Sequence, residues 1–128
     1  YAGARLLMDH LGTEEIHRVR MAGAFGSYID PKYAMVLGLI PDCDLKNVRA
    51  VGNAASTGAR MALLNRKYRR EIQTQVQKLT KIETATEPRF QEHFIDAMAL
   101  PHKTAKFPQL RAQVELPKSV RKKRTRRR

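Results

Sequence analysis

Two glycine-bearing stretches hold the residue types and spacings in this chain that suit chemistry. The first reads Val19-Arg-Met-Ala-Gly23-Ala-Phe-Gly26-Ser27. Glycines directly after an extended run let the backbone approach a ligand closely, because no Cβ stands in the way. At the carboxyl end of a strand in an α/β sheet, such a turn lies where ligands bind. A tight turn without a ligand fits the same spacing equally. The stretch is neither a Walker A loop, which needs Gly-Lys-Ser/Thr, nor a dinucleotide fingerprint, which needs a further glycine. The second stretch reads Val51-Gly52-Asn53-Ala-Ala-Ser56-Thr57-Gly58-Ala59. It sets amides, an Asn, a Ser and a Thr at a helix start, where the helix dipole favours anions such as phosphate. A capped helix packed through small residues explains it as well. Two such modules in one short chain, facing one sheet edge if their strands are parallel, point to a nucleotide cleft.

Other polar residues have plainer readings. Asp30 precedes Pro31, the pattern of a helix cap rather than of a metal ligand. Asp42 and Asp44 could share a magnesium ion, but acids in a loop after Pro41 read as solvated. Cys43 is the single cysteine. It cannot form an internal disulfide, hold an iron–sulfur cluster or build a thiolate zinc site by itself, and it fits a reducing cytoplasm. It reads as a buried or incidental thiol. His10, His17, His93 and His102 show no metal-ligand spacing and read as surface or packing residues. Phe25, inside the first glycine turn, is the aromatic placed to stack on a ring. No nucleophile–base pair is apparent, so neither a catalytic residue nor a metal ligand is assigned.

The elements that must position these residues follow from periodicity. Residues 2–11 read as a helix with Ala4, Leu7, Met8 and Leu11 on one face, stopped by Gly12. Thr13 with Glu14 and Glu15 reads as the cap of a short helical turn. A strand is expected over 17–22, a helix from Pro31 to about Gly38, and a second strand over 47–51. Further helices are expected over 54–64 and 67–79, a third strand over 81–85, and a last helix from Pro88 to Pro101 with Phe90, Phe94, Ile95 and Met98 inward. Strands alternating with helices predict an α/β fold, with a mixed or parallel sheet flanked by helices.

Composition sets the bounds. The 128 residues suffice for one modest core, and 42% of them are hydrophobic, which excludes general disorder. No run approaches the roughly 20 apolar residues of a membrane helix, and no secretory signal is visible. The chain lacks an initiator Met and opens inside a helical pattern, as a piece of a longer chain would. The formal charge of +13 is uneven: residues 118–128 carry eight Lys or Arg and no acid, and the remainder carries 17 bases against 12 acids. Residues 1–101 therefore read as the folded subdomain, 102–117 as an extended segment, and 118–128 as a disordered basic tail. That tail could grip nucleic acid through phosphates, dock on an acidic partner, or simply be solvated.

Three ordered blocks carry a family resemblance: RVRMAGAFGSYIDPKYAMVLGLIPD, VRAVGNAASTGARMALL and ETATEPRFQEHFIDAMALP. Together they resemble the C-terminal domain of the corrinoid-protein reductive activases, the RACo- and RamA-like ferredoxins with an ASKHA (acetate and sugar kinase, Hsc70, actin) domain. The resemblance covers residues 1–101. It implies a partial ASKHA subdomain, ATP with Mg2+ shared with a missing part, and an iron–sulfur cluster in the parent protein only. It implies ATP-driven electron transfer that returns a partner corrinoid protein, or a corrinoid-dependent methyltransferase, from Co(II) to Co(I). By analogy it assigns Gly23, Ala24, Phe25, Gly26 and Ser27 to nucleotide contact, with Gly52 and Asn53 as a second set. The first phosphate hairpin of ASKHA proteins is absent here, so the piece is not expected to be active alone. The alternatives are a fragment of an ASKHA-type small-molecule kinase and a non-catalytic polyanion-binding module using the tail.

Overall fold

A computed structural model describes residues 1–100 and 102–116; the segment read as a basic tail lies outside the described residues. Helix α1 (Ala2–Leu11) ends where expected: Gly12 adopts φ 63°, and Thr13 N–H closes back on the Met8 carbonyl at 3.0 Å. Its buried face holds Ala2, Leu6 and Met8, whereas Leu7 and Leu11 are exposed. The face is therefore rotated from the one periodicity predicts, and its main partner is the helix at Pro88–Ala97. No helical turn forms at Thr13–Glu15. Thr13 Oγ1 donates to the Glu15 carbonyl, and Glu14 takes both oxygens to the Arg5 guanidinium at 3.0 and 3.2 Å.

Strand β1 (Val19–Met21) and strand β2 (Val48–Ala50) pair in parallel, with Val19 opposite Val48 and Arg20 opposite Arg49. Side chains alternate across a strand, so Val48 enters the core while Arg20 and Arg49 stay exposed. Between the strands run α2 (Ala24–Tyr28), α3 (Pro31–Val36) and a 3-10 turn (Leu45–Asn47). Asp30 caps α3 as read from sequence, its Oδ1 accepting from Lys32 N at 2.8 Å, and Pro31 opens the helix. After β2 come α4 (Ala54–Leu64), α5 (Arg66–Val76), α6 (Pro88–Ala97) and α7 (Pro108–Gln113). The α/β class with a parallel sheet and flanking helices is as expected.

Three further expectations give way. Residues 81–85 form no strand. Ile82 and Thr84 have strand-like types, but a strand exists only where a neighbour supplies its hydrogen bonds. On α6, Phe94 and Ile95 remain 47% exposed and Met98 64% exposed, so they are not inward. Residues 102–116 are more than an extended segment: α7 lies there, and Phe107 and Leu110 join Met35, Cys43 and Val48 in the main core.

The contact between α1 and α6 is polar at its centre. The Asp9 side chain is only 5% exposed and meets His93 Nε2 at 2.6 Å, Arg89 at 3.0 Å and Arg5 at 3.3 Å. Burial pushes this carboxyl up, but the His93 hydrogen bond and the charges of Arg89, His93 and Arg5 outweigh it and hold it below its ordinary 3.8. A carboxyl depressed in the folded state stabilises the fold above its unfolded value and loses that contribution as pH falls through the folded one. Asp9→Asn is expected to cost about 1–3 kcal/mol at neutral pH, because it strands donors gathered around one acceptor. Urea unfolding at pH 7 and at pH 3 checks this: the difference between variant and parent must shrink at the lower pH. An equal difference at both would mean that the carboxylate charge contributes nothing.

Candidate functional site

Each of the two glycine turns starts at the carboxyl end of its strand, and the parallel pairing sets them side by side. Val51 N–H donates to the Met21 carbonyl at 3.0 Å, extending the ladder past both strands. Gly23 N–H then donates to the Gly52 carbonyl at 2.8 Å, so the turns are joined directly. Gly23 has φ 103° and Gly52 φ 69°, a region costly for any residue with a Cβ. Both chains must reverse at once to enter a helix, and glycine lets them.

Beyond each turn a helix begins. Gly23 is the N-cap of α2, and Ala24 is its first residue. Ser27 Oγ donates back to the Gly23 carbonyl at 3.0 Å. Gly26 sits against the end of β1: an added Cβ would stand 3.2 Å from both the Met21 carbonyl carbon and its Cβ. Phe25 projects outward and is 80% exposed among the described residues. On the other side Asn53 caps α4, its Oδ1 accepting from Ser56 N at 2.9 Å, while Thr57 Oγ1 donates to the Asn53 carbonyl. Gly23, Ala24, Phe25, Gly26, Ser27, Gly52 and Asn53 thus form one continuous rim on one side of the sheet. The start of α2 points there, whereas at α4 the Ala54 N–H already donates to the Gly52 carbonyl at 3.0 Å and the Ser56 N–H to Asn53.

The remaining candidates lie elsewhere. Asp42 and Asp44 are not solvated loop acids. Asp42 accepts from Gln109 N at 2.8 Å and from Leu110 N at 3.0 Å, capping α7 from a distance of 67 residues in sequence. Asp44 accepts from Lys46 N and pairs with Lys46 Nζ at 2.8 Å, a bond that lowers its pKa. Cys43 is fully buried, and burial, aided by the Asp44 and Asp42 charges, pushes its thiol up. A protonated thiol in the core is a packing group rather than a nucleophile or cluster ligand. His93 joins Asp9, and His102 packs on the Tyr1 ring at 4.4 Å, so both have structural roles. Among the described residues, no three of His, Cys, Asp or Glu come together as metal ligands. Also among them, no helix is long and apolar enough to cross a membrane.

Sequence reasoning missed two polar devices, the Asp9 cluster and the Asp42 cap. Neither has a local signature, since the partners are separated by more than 60 residues.

The family model described as the C-terminal domain of RACo, the ASKHA domain, matches residues 1–111. This chain belongs to that family. A relative in Eubacterium limosum, the corrinoid activation enzyme RamQ, is 36% identical over 97 residues, which are 74% of this chain and 16% of the relative. A solved structure, the reductive activator for corrinoid, iron-sulfur protein, is similar over 79% of this chain and 16% of its own length, with a TM-score of 0.71 and 37% identity. The chain thus spans about a sixth of the length of each of these two relatives. Both the ASKHA assignment and the α/β class follow. The family match also reaches past Leu100 to Arg111, taking in α7, which the sequence reading had set outside the domain.

Proposed function

We propose that this chain forms one wall of the ATP site in a reductive activase that returns a corrinoid protein from Co(II) to Co(I). The observation that carries the reading is the pair of joined glycine turns at the carboxyl ends of two parallel strands. Backbone amides at the start of α2 would meet phosphate oxygens or ribose, and Gly23 and Gly52 leave room for that approach. Phe25, exposed beside the turn, is free to stack on the adenine ring. Mg2+ would be held by the phosphates together with residues outside this chain. Two relatives, named for corrinoid activation and for reductive activation of a corrinoid, iron–sulfur protein, support the substrate class.

The electron would come from an iron–sulfur cluster carried elsewhere in the parent protein, because one buried thiol cannot ligate a cluster. Such a cluster would supply the one electron that takes Co(II) to Co(I), with ATP binding or hydrolysis supplying the drive. The contribution of this chain is positional: it holds the nucleotide and moves with it against the rest of the protein and the corrinoid partner.

Phe25→Ala tests the stacking. Base–aromatic stacking contributes about 1–3 kcal/mol per base, so ATP affinity is expected to fall by roughly 5- to 150-fold. Calorimetric titration of MgATP into the polypeptide that carries this chain reads the change, and a thermal melt should be unmoved because the ring is exposed. Unaltered affinity removes Phe25 from the site.

A further inference from the structure

Helix α5 runs against helix electrostatics. Its first turns carry Arg66, Lys67, Arg69 and Arg70 and open with no acid, although the helix N-terminus is already positive. Arg60 on α4 and Lys78 just past α5 add to them, and Glu71 is the lone acid from Ala54 to Thr80. All six cations are exposed, and none forms an ion pair among the described residues. Such a cluster destabilises the isolated helix and gains no ion pair among the described residues.

Beside the cations lies an apolar groove. Tyr68, Ile72, Val76 and Leu79 recur at helical spacing and turn toward α4. With Gly58 and Met61 they line an open cavity of about 390 Å³, whose wall also carries Glu71, Gln75 and Lys78. Gly58 keeps the floor low, since a Cβ there would meet nothing within 4 Å. Val76 stays 57% exposed and Leu79 76% exposed, so α4 does not fill the groove.

We infer that this groove receives an amphipathic helix of a partner protein, apolar side chains seated between α4 and α5 and acidic flanks on the six cations. An amphipathic helix fills a trough of this kind through side chains one turn apart. Opposite charges on its rim steer the encounter and set orientation. Nucleic acid would satisfy the cations but leave the apolar lining empty, and the one aromatic there, Tyr68, faces the groove. A flat anionic lipid surface would meet the exposed Val76 and Leu79 but would not reach the groove floor at Gly58 and Met61, and the vesicle arm below tests it. The inference does not rest on the nucleotide reading, since the groove residues begin after the α4 cap.

The probe is a fluorescent synthetic helix with Leu at one-turn spacing and Glu on both flanks. Its twin carries Lys in place of Glu. A single-stranded oligonucleotide and phosphatidylserine vesicles complete the set, each titrated with the full chain and with the longer polypeptide that carries it. The Glu-flanked helix should bind on the order of tenfold or more tighter than its twin, and less tightly as salt rises. Ile72→Asp should abolish binding while leaving helicity unchanged. Arg66→Glu with Arg69→Glu and Arg70→Glu should reverse the preference toward the Lys-flanked twin, a readout that survives if the Ile72 variant misfolds. Equal binding of the two helices, tighter binding of oligonucleotide or vesicles, or no binding at all overturns the proposal. So does a Leu79→Cys thiol shielded from labelling in the longer polypeptide with no partner added, because that polypeptide then covers the groove itself.

Discussion

On the proposed nucleotide site, replacing Gly26 with valine is expected to weaken ATP binding by the polypeptide that carries this chain by roughly 2- to 10-fold. The reason is steric. A Cβ at this position lies 3.2 Å from the Met21 carbonyl carbon, and Met21 is the last residue of β1. The contact is backbone, so no side chain can rotate away, and the two valine methyl groups deepen the conflict. To relieve it, α2 must lift from the strand end. That motion drags on Gly23, whose N–H holds the Gly52 carbonyl at 2.8 Å, and the two turns lose their common alignment. Overpacking of this kind costs about 1–3 kcal/mol, part of it as lost stability and part as lost pre-organisation of the rim. Calorimetry with MgATP reads the second part and thermal unfolding the first. Gly26→Ala serves as the graded control, because alanine restores about 1 kcal/mol of helix propensity against the same close contact. A valine variant that binds ATP as the parent does would detach the first turn from the nucleotide.

The second large effect is expected far from the turns. Leu110 is 1% exposed and sits in the core with Met35, Cys43, Val48 and Phe107. Truncating it to alanine should cost about 2–5 kcal/mol in urea unfolding, through lost transfer free energy and the cavity left behind. Against a total stability of about 5–15 kcal/mol for a typical domain, that loss is severe. Gln113→Ala, in the same helix but exposed, should stay within about 0.5 kcal/mol. A chain ended at residue 104 should lose more than Leu110→Ala. It gives up Phe107 and Leu110 and strands the Asp42 carboxylate, which now accepts from Gln109 and Leu110 amides. If that shorter chain unfolds at the same urea concentration as the parent, the last described residues do not belong to the core.

Much of the local structure was legible because its causes are local. Asp30 and Pro31 start α3 by capping and by a preset φ, and both act within one turn. Gly12 stops α1 because a left-handed residue is needed one step past the last turn. Residues 54–64 form α4 between the Asn53 cap and Asn65, as spacing predicts. The two glycine turns were readable as turns for the same reason. What they would face was not, since it depends on whether β1 and β2 run parallel and in which register.

The failures share one physical origin. Ile82 and Thr84 have strand-like types but no strand beside them, and hydrogen-bond partners are not encoded in the residues that need them. Phe94, Ile95 and Met98 lie on one helix face, yet the close contacts of α6 with α1 include the Asp9–His93 pair, and those apolar side chains stay about half exposed or more. Phe107 and Leu110 stand among Lys, Pro and Gln, a composition that reads as loop, and become core only because the segment folds back on α3 and Cys43.

Sequence alone therefore determined the starts of α1, α3, α4 and α6, the two glycine turns, the α/β class and the family resemblance, each set by residues within a few positions of one another or by ordered blocks. Tertiary structure alone decided that the two turns share a rim, that Asp42 caps a helix 67 residues away, and which apolar face of each helix is buried. Capping, turn geometry and helical periodicity act through neighbouring residues, whereas burial and ladder pairing act between segments whose meeting no local pattern records.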